Sequence, residues 1–161
     1  MRVDGRPYRT IWTEEGRVRI IDQTALPHEF RVLDLPDLEA AAHAIRSMQV
    51  RGAPLIGAAA AWGLALAVER DPSDAALDRA VAHLLATRPT AVNLRWGLER
   101  VRDAITPLPE SERAAAARAA AASIADDDVA TNLALGEHAL DMLLRVDRGV
   151  EGRLAILTHC N

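Results

Sequence analysis

Val50-Arg51-Gly52-Ala53-Pro54-Leu55-Ile56-Gly57-Ala58-Ala59-Ala60 is the stretch on which the reading of this chain turns. Arg51 is a permanent cation with a planar, five-donor fork. Gly52 lets the backbone turn tightly or approach a ligand closely. Pro54 is preset for the first turn of a helix, where its missing N–H costs nothing. The residues from Gly57 to Gly63 are small and predict a helix that packs closely on its neighbours. A guanidinium beside the bare N–H groups of a helix start makes an anion site, most naturally for phosphate. The same residues also suit an ordinary loop-to-helix junction with Arg51 in solvent.

Upstream, residues 1–33 read as strands. Arg9-Thr10-Ile11-Trp12 leads into a turn at Glu14-Glu15-Gly16, Arg17 to Asp22 forms a second run, and Phe30-Arg31-Val32-Leu33 a third. Charged residues, Gly and Pro separate the runs, as in a small antiparallel meander. Asp34 and Pro36-Asp37 then signal a helix start. Leu38, Ala42, Ile45 and Met48 keep helical spacing, so this helix is expected to run into Val50 and the Arg-Gly turn.

Downstream, the second helix is expected over about residues 54–69. Asp71-Pro72 is expected to end it and cap a third helix with Leu77, Val81, Leu84 and Leu85 as its apolar stripe. Thr87-Arg88-Pro89-Thr90 breaks the chain again, because Pro89 disfavours a helical Arg88. Thr90 is the expected N-cap of a fourth helix to about Ile105, with Val92, Leu94, Leu98 and Val101 on its apolar face. Arg88 thus precedes a helix start as Arg51 does, and two such turns can converge on one anion; the alternative is that Arg88 only decorates an inter-helix turn. From Glu110 to Val146 the pattern is one long helix, or two divided at Asp126-Asp127-Asp128. Asn132 and Gly136 on one face suggest close packing there. Arg153 to His159 reads as a buried parallel strand. It would place Cys160 at a strand end, where open α/β sheets carry their chemistry.

Composition narrows the classes. The chain has 161 residues, half of them apolar, with three Trp, one Tyr and one Phe. The core must therefore be aliphatic and rich in Ala. A net charge of -4 with mixed signs gives no electrostatic case for nucleic acid. One cysteine allows no internal disulfide and fits a reducing cytoplasm. No signal core and no apolar run of membrane-spanning length is present, so no membrane association is expected. The expected fold is α+β: an antiparallel meander packed on a helical bundle over residues 1–150, then the first strand of a Rossmann-like α/β domain over 151–161. The chain is read as the N-terminal part of a longer protein.

The motifs carry a resemblance. Met48 to Gly57, followed by Ala60 to Leu66, resembles the hallmark of the methylthioribose-1-phosphate isomerases, in the superfamily that includes the regulatory subunits of translation initiation factor 2B. Arg88-Pro89-Thr90-Ala91-Val92-Asn93-Leu94 is similar to that family's second motif, and Leu157-Thr158-His159-Cys160-Asn161 to the start of its catalytic-cysteine motif. The resemblance implies conversion of 5-methylthioribose 1-phosphate to 5-methylthioribulose 1-phosphate in methionine salvage. It implies substrate contacts at Arg51, Gly52, Ala53 and Arg88, and a catalytic thiol at Cys160 with His159 as its structural neighbour. It also implies no cofactor or metal, a homodimer formed chiefly by a further half, and an acid partner beyond Asn161, so that this piece alone is expected to be inactive. A related ribose 1,5-bisphosphate isomerase and a non-catalytic regulatory subunit are the alternatives.

Overall fold

The structure is a computed structural model that describes residues 2–146 and 154–157. A two-stranded hairpin, β1 (Arg2–Val3) with β2 (Arg6–Pro7), opens the chain. It lies within the 1–33 stretch read as strands, ahead of the first run expected there, at Arg9. The three-stranded antiparallel sheet β3 (Ile11–Glu14), β4 (Arg17–Ile21) and β5 (Val32–Leu35) follows in the order β3-β4-β5, the expected meander. Glu14 pairs with Arg17, so the turn is the two residues Glu15-Gly16, both at positive φ (51° and 78°). That geometry matches the twist of the flanking strands. The third strand begins two residues later than Phe30; Phe30 instead packs its ring edge-on against Tyr8, 4.8 Å between centroids.

Four helices and the first half of a fifth complete the layer beneath the sheet: α1 (Leu38–Arg46), α2 (Ala53–Arg70), α3 (Asp74–Thr87), α4 (Val92–Ile105) and α5 (Glu110–Leu144). The Asp37 carboxylate caps α1 by accepting the Ala40 N–H at 2.9 Å. This helix stops at Arg46 rather than reaching Val50. Ser47 closes it, and Met48 swings into the left-handed region with φ 62° and a largely exposed side chain. Ser73, not Asp71-Pro72, caps α3, accepting from the Ala76 N–H at 3.3 Å. Asp71 is the C-cap of α2, and the hydroxyl and N–H of Ser73 hold its carboxyl below the ordinary carboxylate range. Ala91 rather than Thr90 is the N-cap of α4, and Val92 is 78% exposed instead of lying on the apolar face. Asp126-Asp127-Asp128 does not interrupt α5, which runs unbroken for 35 residues.

α2 lies at the centre. It is buried on every side from Leu55 to Leu66, as a helix apolar all round must be. Its neighbours approach closely because small residues face them. Gly57 of α2 and Gly97 of α4 touch backbone to backbone: a methyl group on Gly97 would lie 2.4 Å from the Gly57 carbonyl oxygen. A methyl on Gly57 would lie 2.7 Å from the Asn93 oxygen. Buried Arg113 of α5 pins the α2–α3 connection, donating to the carbonyls of Leu108 (3.1 Å) and Pro72 (2.8 Å) and to the Asp74 carboxylate (2.7 Å). Arg118 sets its guanidinium over the Trp62 ring at 5.7 Å while pairing with Glu69.

Contacts divide the chain into two compact units, Met1–Asp128 and Val129–Asn161. The boundary expected at residue 150 lies outside the described residues. In the second unit, no atom of the described residues lies within 4 Å of a methyl group placed on Gly136, so the close packing expected there is not found among them at that position. Residues 154–157 form no strand, and Leu157 is 97% exposed. The rest of the expected strand, including Thr158, His159 and Cys160, lies outside the described residues.

The glycine contact sets a paired expectation. Gly97→Ala forces two backbones apart and should cost about 1–3 kcal/mol by overpacking. Gly136→Ala meets no atom of the described residues and should add a few tenths to about 1 kcal/mol through helix propensity. Urea titrations with unchanged slope and opposite shifts of midpoint would check both.

Candidate functional site

The site is built from two helix starts. Gly57 is one turn into α2 and Asn93 is the second residue of α4. Their contact therefore falls within roughly 6 Å, along each axis, of the helix beginnings at Ala53 and Val92. The structure thus brings the turns carrying Arg51 and Arg88 to the same α2–α4 crossing. It alters the position of one of them. Arg88 is not directly before a helix: it is the C-cap of α3, and Pro89-Thr90-Ala91 intervene before α4. The Ala91 N–H donates back to the Arg88 carbonyl at 3.0 Å and closes that turn.

The two starts share a second property. α1 and α3 have side-chain caps from Asp37 and Ser73, whereas α2 and α4 begin at Gly52 and Ala91 with no side-chain cap. The first N–H groups of α2 and α4 are left for another acceptor. Pro54 in the first turn of α2 removes one donor that would otherwise be orphaned. No carboxylate stands in the first turn of either helix. Arg51 is exposed and Arg88 half-buried. Among the described residues neither guanidinium has a hydrogen-bond or ion-pair partner. Most other arginines of the first unit are paired, as Arg19 is with Asp34 at 3.0 Å and Arg102 with Asp78 at 2.8 Å. Two cations and two sets of free N–H groups, without a competing carboxylate, suit a dianion such as a phosphoryl group.

The loop that aims Arg51 is under local strain. Met48 is a non-glycine residue in the left-handed region, at a cost of about 1–2 kcal/mol. Gly52 has φ 90° and ψ 134°, a conformation that side-chain-bearing residues rarely adopt. Ala53 is the first residue of α2 and is exposed beside Gly52. Cys160 is outside the described residues, so its distance from this site is not part of the geometry. Among the described residues, no group of three His, Cys, Asp or Glu is placed to hold a metal ion. No described helix is long and apolar enough to cross a membrane.

A second concavity was missed by sequence reasoning. A cleft of about 790 Å³ lies among Tyr8, Trp12, Arg19, Trp62 and Asp126, against the edge of β3. None of the residues expected to touch a substrate lines it. Only the scarcity of aromatic residues, with three of the five gathered here, could have signalled it.

A fold of this kind, a short antiparallel meander followed by a helical bundle around α2, defines an α+β domain. Residues 49–161 match the Initiation factor 2 subunit family, and the chain belongs to it. It is 56% identical to a protein of Paramagnetospirillum magneticum named methylthioribose-1-phosphate isomerase, over 100% of this chain and 45% of that protein. Among solved structures it resembles 5-methylthioribose 1-phosphate isomerase from Pyrococcus horikoshii, with a TM-score of 0.73 and 40% identity over 80% of this chain and 39% of that one. It also resembles the delta subunit of translation initiation factor eIF-2B from A. fulgidus, with a TM-score of 0.71 and 36% identity over 76% and 38%. The chain spans less than half the length of these relatives.

Gly52→Ala tests the loop. The positive φ should cost about 1–3 kcal/mol or re-aim Arg51. Thermal unfolding would read the first effect, and an NMR shift of the Arg51 side-chain Nε–H the second.

Proposed function

We propose that this chain supplies the phosphate-gripping part of a methylthioribose-1-phosphate isomerase. The observation that carries the reading is the pairing of two unpartnered guanidinium groups, Arg51 and Arg88, with two uncapped helix starts at one crossing. Identities above 50% to proteins of that name support it, as does the 40% identical solved isomerase. The delta-subunit likeness is almost as good in TM-score, so the backbone alone does not separate the two readings. Sequence identity favours the isomerase.

In this reading the substrate is 5-methylthioribose 1-phosphate. Its anomeric oxygen carries the phosphate, so no free aldehyde is present in the ring. Conversion to the ketose needs four changes. The bond from C1 to the ring oxygen breaks, and that oxygen takes a proton. A hydrogen moves from C2 to C1, and the C2 hydroxyl loses its proton. Atoms and electrons balance within the substrate, whether the hydrogen moves as proton or hydride. Arg51, Arg88 and the N–H groups of Gly52 and Ala53 hold the phosphoryl oxygens through this sequence. Their role is to fix C1 and C2 while the ring opens. Cys160 is the proposed catalytic thiol, acting on protons near C1 and C2. The rest of the enzyme would supply its acid partner and a homodimer contact, in a cytoplasmic protein.

Binding tests the assignment directly. Titration of the chain with 5-methylthioribose 1-phosphate should show Arg51→Ala and Arg88→Ala each weakening binding by about 1.5–3 kcal/mol, the range for hydrogen bonds to charged groups. Ribose 1,5-bisphosphate should bind less tightly than the methylthio sugar if the reading is right. Equal affinity of wild type and both variants would refute the phosphate assignment.

A further inference from the structure

Asp22 is a charged residue the site does not use, and it is only 2% exposed. It follows β4 directly. A carboxylate held out of water has to be satisfied by hydrogen bonds. One of its oxygens, Oδ1, accepts the Thr24 N–H at 3.0 Å and the Thr24 hydroxyl at 2.6 Å. The other faces the Arg31 guanidinium at 3.6 Å. Its own N–H donates to the Arg31 carbonyl at 2.9 Å, and its carbonyl accepts the Ala25 N–H at 3.3 Å. These bonds form a side-chain-closed turn that fixes the peptide between Asp22 and Gln23.

That peptide has a task elsewhere. The Gln23 N–H donates to the Gln49 carbonyl at 2.9 Å. Gln49 stands between Met48, with its left-handed backbone, and Val50, whose fully buried side chain and N–H to the Ala44 carbonyl (3.2 Å) anchor the next step. Arg51 and Gly52 come immediately after. The loop entering the anion site is thus tied at two points, Ala44 of its own helix and Gln23 of the turn after β4. Only the second tie is set by a buried charge.

We propose that Asp22 is a positioning residue for the anion site: it shapes the 22–25 turn so that Gln23 holds Gln49, and through Gln49 it sets where Arg51 and Gly52 point. The proposal rests on the reading of Arg51 as a phosphate ligand. Asp22 touches no substrate. Its effect passes through one backbone hydrogen bond, from the Gln23 N–H to the Gln49 carbonyl, and its hydrogen-bonding geometry rather than its charge carries it.

The test compares variants of the chain by amide exchange and by titration with 5-methylthioribose 1-phosphate. Asp22→Ala should speed exchange of the Gln23 amide about tenfold relative to the amides of β4, and raise the dissociation constant about tenfold. Asp22→Asn keeps an acceptor toward Thr24 and should restore affinity to within about threefold of wild type. Leu35→Ala, a buried sheet substitution, should lower stability and leave affinity unchanged, which separates positioning from general weakening of the fold. If Asp22→Ala does not fold, Thr24→Val removes the hydroxyl bond alone and should still speed Gln23 exchange and weaken binding about threefold. A folded Asp22→Ala or Thr24→Val chain with wild-type exchange and affinity would overturn the proposal, as would an Asp22→Asn variant as impaired as Asp22→Ala. If Arg51→Ala binds as wild type does, the phosphate reading fails, and Gln23 exchange alone then decides whether Asp22 sets the loop.

Discussion

The contact between Gly57 and Gly97 is the constraint on which the rest depends. Two backbones meet where any side chain would separate them. Because the meeting point lies about one turn into each helix, it also fixes where the helices begin. Two uncapped helix starts placed at one crossing concentrate positive potential. Arg51 and Arg88 stand at the two turns leading into them. The packing of the bundle and the chemistry of the candidate site are therefore one geometric decision. A larger residue at either glycine would disturb both.

Around that contact the molecule keeps its charges in pairs. Arg113 and Arg118 clamp α5 to the bundle through carbonyls, carboxylates and the face of Trp62. Arg70 reaches Asp37 at the start of α1 at 3.4 Å, and Arg102 reaches Asp78 of α3. Exposed pairs of this kind contribute little stability each, and they engage most of the described guanidinium groups of the first unit. Arg51 and Arg88 are among those left without partners, which is the state a ligand-binding cation needs. The Asp22 turn belongs to the same logic: a buried charge is spent on fixing backbone, and the fixed backbone leads into the loop of Arg51.

Much of this was legible in the chain. The Glu15-Gly16 turn, the alternation of Arg17 to Ile20 and the small-residue run after Pro54 each announced their element, because each depends on local sterics. Arg51-Gly52-Ala53-Pro54 likewise marked a cation, a left-handed backbone and a helix start in order. Misreadings fell where neighbours compete. Met48 kept helical spacing with Ile45, yet it leaves the helix, and Gln49 bonds instead to Gln23 in the turn after β4. Thr90 is a better capping residue than Ala91, yet the turn closed by Arg88 and Ala91 starts α4 one residue later. Val92 matched an apolar stripe, but the face that packs on α2 is the one bearing Asn93 and Gly97.

The sequence by itself determined the types of the elements, the central all-apolar helix and the residues proposed to hold a phosphate. Those are consequences of side-chain size, charge and backbone freedom, which each residue carries wherever it is placed. Only the tertiary structure decided that the starts of α2 and α4 meet, that they lack caps, and that Asp22 lies buried behind the loop of Arg51. Such facts depend on contacts between residues far apart along the chain. Packing selects them from many arrangements that the local pattern permits equally well.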